Sequence, residues 1–221
     1  MRPTVILRGL VVLFTSGVML YIAKEFVFSE VRLKHMKYFN EFTDSIPKKF
    51  VCQMETRCPD DQFPFKITSG AANIVGANIC FNGKTLMSTV KNNIGKGINI
   101  ALVNASNGQL ITTNFFNMWS GKIELLADFL KAIKPPTIML LASFDDPSTK
   151  MNDDTKKLFT ELGSSLIFSL GFRDNWVFLG AKPIKGKSPF EQILKNDKAK
   201  NKYDNWPEAI EMEGCVPRKN D

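Results

Sequence analysis

Four cysteines constrain the fold of this chain more than any other feature of its sequence. They are Cys52, Cys58, Cys80 and Cys215, and all four follow an apolar N-terminal leader. An even number of cysteines behind a leader predicts two disulfides. Whichever cysteine pairs with Cys215 ties the last part of the fold to its first part, and the other bridge closes a short loop. The residues alone leave three connectivities open.

The first residues have the layout of a secretory signal. A charged start leads into fifteen mostly apolar residues at 9–23, and the polar pair Lys24-Glu25 follows. We therefore predict a signal peptide over residues 1–29, cleaved between 23 and 29, and a secreted, extracellular protein. A retained type II anchor is the alternative, because the stretch reaches nineteen residues when counted from residue 5 and a spanning helix needs about 20. The sequon at Asn104 agrees with export and is a candidate glycosylation site.

Charge and length indicate one ordinary domain behind a linker. The chain has a formal net charge of +7, of which residues 51–221 carry only +3. This region has no basic run with interleaved aromatic residues, so nucleic acid is not a predicted partner. We predict a linker or pro-segment over residues 30–50 and a single domain over 51–221. Lys48-Lys49 at the boundary is either a dibasic processing site or a solvated lysine pair.

Apolar periodicity and turn signals predict a mixed α and β domain. Strands are predicted over residues 63–68, 71–81, 86–90, 97–104, 109–117, 137–144 and 175–182. The alternation in 63–68 favours a strand at the exposed edge of a sheet. Helices are predicted from an N-cap at Ser120 to Ile133, from an N-cap at Asn152 to about Gly163, over 164–170 and over 188–196, before an irregular tail.

The domain has few of the residue patterns that enzymes use. The only histidine, His35, lies in the predicted linker, which excludes a Ser-His-Asp or Cys-His arrangement within the domain. The sequence has no phosphate-binding loop and no G-x-S-x-G elbow. Adjacent carboxylates in a strand point to opposite faces, so Asp145-Asp146 and Asp153-Asp154 are expected in turns and caps. We predict no catalytic residue, no cofactor and no metal.

Several strings of the sequence, spread in order over residues 50–221, together resemble one known family. They are residues 65–76 (FKITSGAANIVG), 91–102 (KNNIGKGINIAL), 145–152 (DDPSTKMN), 162–164 with 171–178 (LGS, GFRDNWVF), 187–192 (KSPFEQ) and 206–215 (WPEAIEMEGC). The chain resembles the secreted cytokine-like group called family with sequence similarity three, which includes pancreatic-derived factor and the interleukin-like EMT inducer, and is most similar to its member D. The resemblance implies an α+β fold: a compact, lectin-like β-β-α globule with two mainly antiparallel sheets lined by short helices.

The same resemblance implies how the cysteines pair. It implies the disulfides Cys52–Cys80 and Cys58–Cys215. Some relatives carry an extra cysteine where this chain has Leu179, and use it for covalent self-association. With all four thiols used internally, we predict a monomer or a non-covalent oligomer and no disulfide-linked dimer.

The resemblance also implies a function. It implies a hormone-like cytokine that acts through an unidentified cell-surface receptor in metabolic or epithelial regulation. The alternative is a carbohydrate-binding module, or a Golgi-resident type II glycan-binding protein if the leader is retained. A similar domain in the stem of a glycan-processing transferase holds a sugar, and the matching residues are Lys96, Asp145 and Arg173.

These three residues have two interpretations. As a ligand site, the carboxylate would accept from sugar hydroxyls, the guanidinium would donate to sugar oxygens, and Trp119 or Trp176 would offer an apolar face. The competing interpretation is a structural ion pair between Asp145 and Arg173.

Overall fold

A computed structural model describes residues 50–219, together with Met19, Lys24 and Glu25. The chain divides into two compact units, Met1–Lys48 and Lys49–Asp221. The predicted signal peptide and linker lie outside the described residues apart from these few positions, and both stay predictions. None of the described helices is long and apolar enough to cross a membrane.

Two antiparallel sheets form the second unit. The strands are β1 (Gln62–Thr68), β2 (Asn78–Phe81), β3 (Lys84–Met87), β4 (Gly97–Asn104), β5 (Leu110–Phe116), β6 (Thr137–Phe144), β7 (Asn175–Lys182), β8 (Glu191–Leu194) and β9 (Glu211–Pro217). Their order is β3-β2-β1-β9 in one sheet and β5-β4-β6-β7-β8 in the other. The helices are α1 (Ile123–Lys131) and α2 (Asp153–Glu161), with single 3-10 turns at Val51–Gln53 and Ile167–Ser169. The predicted α+β class with two antiparallel sheets and short helices is confirmed.

The five-stranded sheet lies in the middle of three layers. Its β6 is buried at all eight residues, because one face of the sheet packs on the four-stranded sheet and the other on the helices. Apolar side chains of both sheets, among them Phe65 and Leu140, form one core cluster. Leu126 of α1 and Phe159 of α2 pack with Leu141 in the second cluster. A strand covered on both faces reads as a continuous apolar run, as the sequence of β6 does.

Of the two predicted helix N-caps, one is confirmed and one is wrong. Asn152 is confirmed as the N-cap of α2, since its side chain accepts from the Thr155 N–H at 2.9 Å. Ser120 is not the N-cap of α1, which begins after Lys122 without a side-chain cap. The N–H of Ser120 is instead bound by Asn117 Oδ1 at 3.0 Å in a turn before the helix.

The C-terminal part of the chain forms strands where none was predicted. The segment expected to be a helix over 188–196 contains β8, which pairs with β7. The tail expected to be irregular contains β9, which pairs with β1 along seven residues. Because β9 covers one side of β1 and β2 covers the other, the predicted edge position of residues 63–68 is wrong. Pairing with distant strands, rather than local preference, decides these segments.

Two further segments are shorter than predicted. The strand expected over 71–81 begins only at Asn78, and residues before it form a tight turn closed by the bridge Ala71–Val75. The helix expected over 164–170 is the single turn Ile167–Ser169.

Two disulfides fasten the four-stranded sheet. Cys52–Cys80 joins the turn before β1 to β2, and Cys58–Cys215 joins the start of the domain to β9 across 157 residues of sequence. These are the pairs that the family resemblance implied. Leu179 is 3% exposed and packs in the core between the sheets.

Candidate ligand-binding cleft

Three neighbouring strands bring the candidate residues to one end of the five-stranded sheet. Lys96 directly precedes β4, Asp145 directly follows β6, and Arg173 lies two residues before β7. The strands are antiparallel neighbours, and Gly97 at the start of β4 lies opposite Phe144 at the end of β6. The start of β4, the end of β6 and the start of β7 therefore meet at the same edge.

Asp145 uses both of its carboxylate oxygens within the protein. Its Oδ2 lies 3.2 Å from Lys96 Nζ, and its Oδ1 accepts from Trp206 Nε1 at 3.0 Å. The Lys96 side chain is 51% exposed while that of Asp145 is 18% exposed. The pair is therefore open to solvent on the lysine side.

Arg173 is held by aromatic rings. Its guanidinium carbon lies 3.9 Å from the centroid of the Trp206 ring and 4.7 Å from that of Phe172. Within residues 50–219 its side chain makes no ion pair. The expected Asp145–Arg173 ion pair is thus replaced by the Lys96–Asp145 pair, and the guanidinium keeps its N–H donors for a ligand.

The two adjacent aspartates have different roles. Asp146 is 4% exposed, and its carboxylate accepts from the backbone N–H groups of Ser148, Thr149 and Arg173 at 3.1 to 3.3 Å. This is the turn role that the sequence predicted for the aspartate pair. Asp146 also joins the loop after β6 to the loop before β7, so it holds the backbones of both cleft-forming segments.

The backbone is strained at Asp145 and at Arg173. Asp145 has a φ of 66° and Arg173 a φ of 57°, in the left-handed region that few residues other than glycine adopt. Such conformations cost about 1 to 3 kcal/mol each and cluster at ligand sites.

A cleft of about 260 Å³ lies between these loops. It is lined by Lys96, Asp145, Arg173 and Trp206 together with Asn73, Gly97, Asn117, Trp119, Asp146 and Phe172. Trp119 is 62% exposed, and its ring centroid lies 6.1 Å from that of Phe172. Aromatic side chains beside a few convergent polar groups are typical of small-ligand sites. Groups of three or more acidic, histidine or cysteine side chains that could hold a metal are absent from the described part of the chain.

One tryptophan that was predicted to face a ligand does not do so, and another that lines the cleft was not predicted. Trp176 is fully buried between Phe159 and Phe178 and cannot face a sugar. Trp206, which contacts both Asp145 and Arg173, was not predicted to be part of the site. A bulky tryptophan within a polar, irregular-looking tail was the signal that could have indicated it.

Asn104 lies away from the cleft, at the opposite end of β4. Its side-chain oxygen accepts from the backbone N–H groups of Ser106 at 2.8 Å and Asn107 at 3.1 Å. Its glycosylation stays a prediction.

Comparisons with known proteins point to one family. The family model described as interleukin-like EMT inducer matches residues 96–184, a range that contains Lys96, Asp145 and Arg173. Protein FAM3C of Danio rerio is 48% identical over 100% of both chains. Protein FAM3C of Bos taurus is 55% identical over 79% of this chain and 77% of its own. Protein FAM3D of Mus musculus, the branch that the sequence strings favoured, is 48% identical over 99% of both chains.

Proposed function

This chain belongs to the FAM3 family, to which the family model described as interleukin-like EMT inducer corresponds, and we propose on that premise that it is a secreted signalling protein that acts through a cell-surface receptor. The observation that carries the proposal is 48% identity to FAM3 relatives over essentially the whole of both chains. Two disulfides, which persist in oxidising compartments, support export. Binding, rather than catalysis, is the proposed activity.

Binding of labelled protein to intact epithelial cells tests the receptor proposal. We expect saturable binding that excess unlabelled protein displaces and that protease treatment of the cells abolishes. Reduced and alkylated protein, in which both disulfides are open, is the control and should not bind. Binding that protease treatment leaves intact, but that removal of cell-surface glycans abolishes, would favour the carbohydrate alternative.

N-terminal sequencing of the protein recovered from culture medium tests the leader. We expect the mature chain to begin between residues 24 and 30. A start at residue 50 would show processing after Lys48-Lys49. Retention of the full leader in a Golgi membrane fraction, with none in the medium, would contradict secretion.

A second candidate function is carbohydrate binding in the cleft. The guanidinium of Arg173 is oriented by two rings and makes no ion pair within residues 50–219, so it is available to donate to sugar oxygens. Asp145 keeps further lone pairs beside those used by Lys96 and Trp206. The exposed Trp119 offers an apolar face of the kind that covers a sugar ring.

Glycan-array binding tests this second function. We expect Arg173→Ala and Asp145→Ala to remove the signal while both variants keep the circular dichroism spectrum of the wild type. Arg57→Ala is the matched control, since Arg57 is exposed and does not line the cleft. Binding that persists in both cleft variants would place any glycan site elsewhere.

A further inference from the structure

Lysines gather at the end of the five-stranded sheet opposite the cleft. There, Thr137 at the start of β6 lies between Asn104 of β4 and Lys182 of β7. The carbonyl of Lys134 accepts from Thr137 Oγ1 at 2.6 Å, which holds the backbone of Lys134 close to the start of β6. Lys131, the last residue of α1, lines one groove with Lys182. Three lysines, from α1, from the loop before β6 and from β7, therefore lie at the same end of the sheet.

Two more lysines extend this surface. Lys185 is exposed in the loop that leaves β7, three residues after Lys182. Lys219 follows β9, and its N–H donates to the Ala105 carbonyl at 2.9 Å. The N–H of Ala105 donates in turn to the Pro136 carbonyl at 3.1 Å, beside the start of β6. We call this surface the basic end, and its five lysines are Lys131, Lys134, Lys182, Lys185 and Lys219.

The charges of the basic end are not held in ion pairs. Among residues 50–219, none of its five ammonium groups forms an ion pair. At the cleft end, by contrast, Lys96 pairs with Asp145 and Lys195 with Asp174. Glu161 lines the groove with Lys131 and Lys182 but pairs with neither. Clustered, unpaired positive charge raises the local potential and concentrates polyanions.

The side chains around these lysines indicate which class of polyanion the basic end binds. Single-stranded nucleic acids bind where aromatic rings stack on their bases, and membrane-surface segments insert large apolar side chains. No large apolar side chain is exposed at residues 126–137 or 180–190, and the exposed ones nearby, Leu110 and Ile111 at the start of β5 and Leu125 of α1, are not aromatic. Sulfate groups along a polysaccharide need neither aromatic rings nor apolar side chains, because they are bound through charge alone.

We propose that the basic end binds an extended, sulfated polysaccharide of the glycosaminoglycan class through its sulfate groups. Because it lies at the far end of the sheet from the cleft, this surface leaves the cleft free for its own ligand. The inference goes beyond the proposed function, and it is tested on purified protein without reference to a receptor.

Binding of the full secreted chain to immobilised heparin, measured by surface plasmon resonance from about 50 to about 200 mM NaCl, tests the proposal. We expect the logarithm of Kd to rise linearly with the logarithm of salt concentration. The variant Lys131→Gln/Lys134→Gln/Lys182→Gln should bind at least about tenfold more weakly, and its salt slope should be shallower by about one for each substituted lysine that binds a sulfate group.

A matched triple variant controls for net charge. Lys91→Gln/Lys122→Gln/Lys150→Gln removes three exposed lysines that are outside the basic end and form no ion pair within residues 50–219, and it should bind heparin as the wild type does. An equal loss in both triple variants would overturn the proposal, because net charge alone would explain it. Unchanged heparin binding by a basic-end variant that melts like the wild type would also overturn it. So would binding to phosphatidylserine vesicles or to DNA without binding to heparin.

Discussion

Trp206 donates its indole N–H to Asp145 Oδ1 at 3.0 Å, across 61 residues of sequence. The same ring lies 3.9 Å from the guanidinium carbon of Arg173. One tryptophan from the tail therefore positions both the carboxylate and the guanidinium of the cleft. It links the strained loops after β6 and before β7 to the segment that leads into β9.

Substitution of Trp206 should separate its two roles. Trp206→Phe keeps a ring for Arg173 but loses the N–H donor to a charged acceptor, so we expect a loss of about 1 to 3 kcal/mol in the free energy of unfolding. Trp206→Ala should lose more, since the cation–π interaction goes as well. Urea denaturation followed by circular dichroism measures both. Trp119→Phe, at an exposed ring, is the control and should stay within about 0.5 kcal/mol of the wild type; an equal loss in Trp119→Phe and Trp206→Phe would contradict the assignment.

The long-range disulfide should matter more than the short-range one. Cys58–Cys215 spans 157 residues and Cys52–Cys80 spans 28, and the loop-closure model gives about 5 and about 3 to 4 kcal/mol respectively. We expect Cys58→Ser to release the tail, reduce the secreted yield and expose the chain to trypsin. Normal secretion together with wild-type protease resistance in this variant would contradict the prediction.

Removing the Cys52–Cys80 bridge is the comparison for that variant. Cys52→Ser/Cys80→Ser should be secreted at a yield between those of the wild type and of Cys58→Ser/Cys215→Ser. The double variants leave no free thiol from the broken bridge, so mixed disulfides cannot account for the ranking.

The chain should not form a disulfide-linked dimer. All four cysteines are paired within the chain, and Leu179 stands where the family resemblance implies a further cysteine in some relatives. Its side chain is buried between the sheets. We expect the secreted protein to run as a monomer on denaturing gels with and without reductant; a dimer band that reductant removes would show an intermolecular bridge.

Glu191 should be a strong determinant of stability. Its carboxylate accepts from the N–H groups of Ser165 and Leu166 at 2.6 and 3.0 Å, from Trp176 Nε1 at 3.1 Å, and from two serine hydroxyls. In Glu191→Gln one oxygen becomes an NH₂ group that faces donors, so we expect a loss of about 2 to 4 kcal/mol. Thermal unfolding measures it, with Glu124→Gln at an exposed site as the control that should melt like the wild type.

Lys66 should stabilise the domain until strongly alkaline pH. Burial alone would lower the pKa of this lysine, but hydrogen bonds and charge attraction from Glu211 and Glu213 outweigh burial and raise the pKa above its usual 10.5. A raised folded-state pKa contributes stability that is fully present below about 10.5 and is lost as pH rises through the folded value. The difference in unfolding free energy between the wild type and Lys66→Met should therefore be constant from neutral pH to about 10 and shrink above it. A difference that disappears below pH 9 would contradict this.

Local sequence was a good guide wherever burial is continuous or capping is short-range. The runs that became β4 and β6 are apolar along their whole length, and Asn152 needs only the next turn to act as a cap. The segment of β8 failed as a prediction because its four residues are only half-buried or exposed and take their conformation from pairing with β7. The segment of β9 likewise depends on β1, more than 140 residues away.

The candidate site could likewise be predicted only in part. Its three predicted residues came from a family resemblance, and the sheet register explains why they converge: the edges of β4, β6 and β7 coincide. Which charge pairs with which was beyond the sequence, since Lys96 rather than Arg173 faces Asp145. Trp206 was missed for the same reason, because its partners lie 61 and 33 residues away and only the folded tail brings them into contact.

The sequence by itself determined the class of the domain, its central strands, its two-disulfide inventory and, through resemblance, its family. Those properties depend on local periodicity, on an even count of cysteines and on strings of neighbouring residues. Only the tertiary structure decided that the tail is a strand, that Arg173 rests on two rings instead of a carboxylate, and that five lysines without an ion pair in residues 50–219 share the far end of the sheet. These outcomes require interactions between residues distant in sequence, and no local pattern encodes which distant partner a side chain will meet.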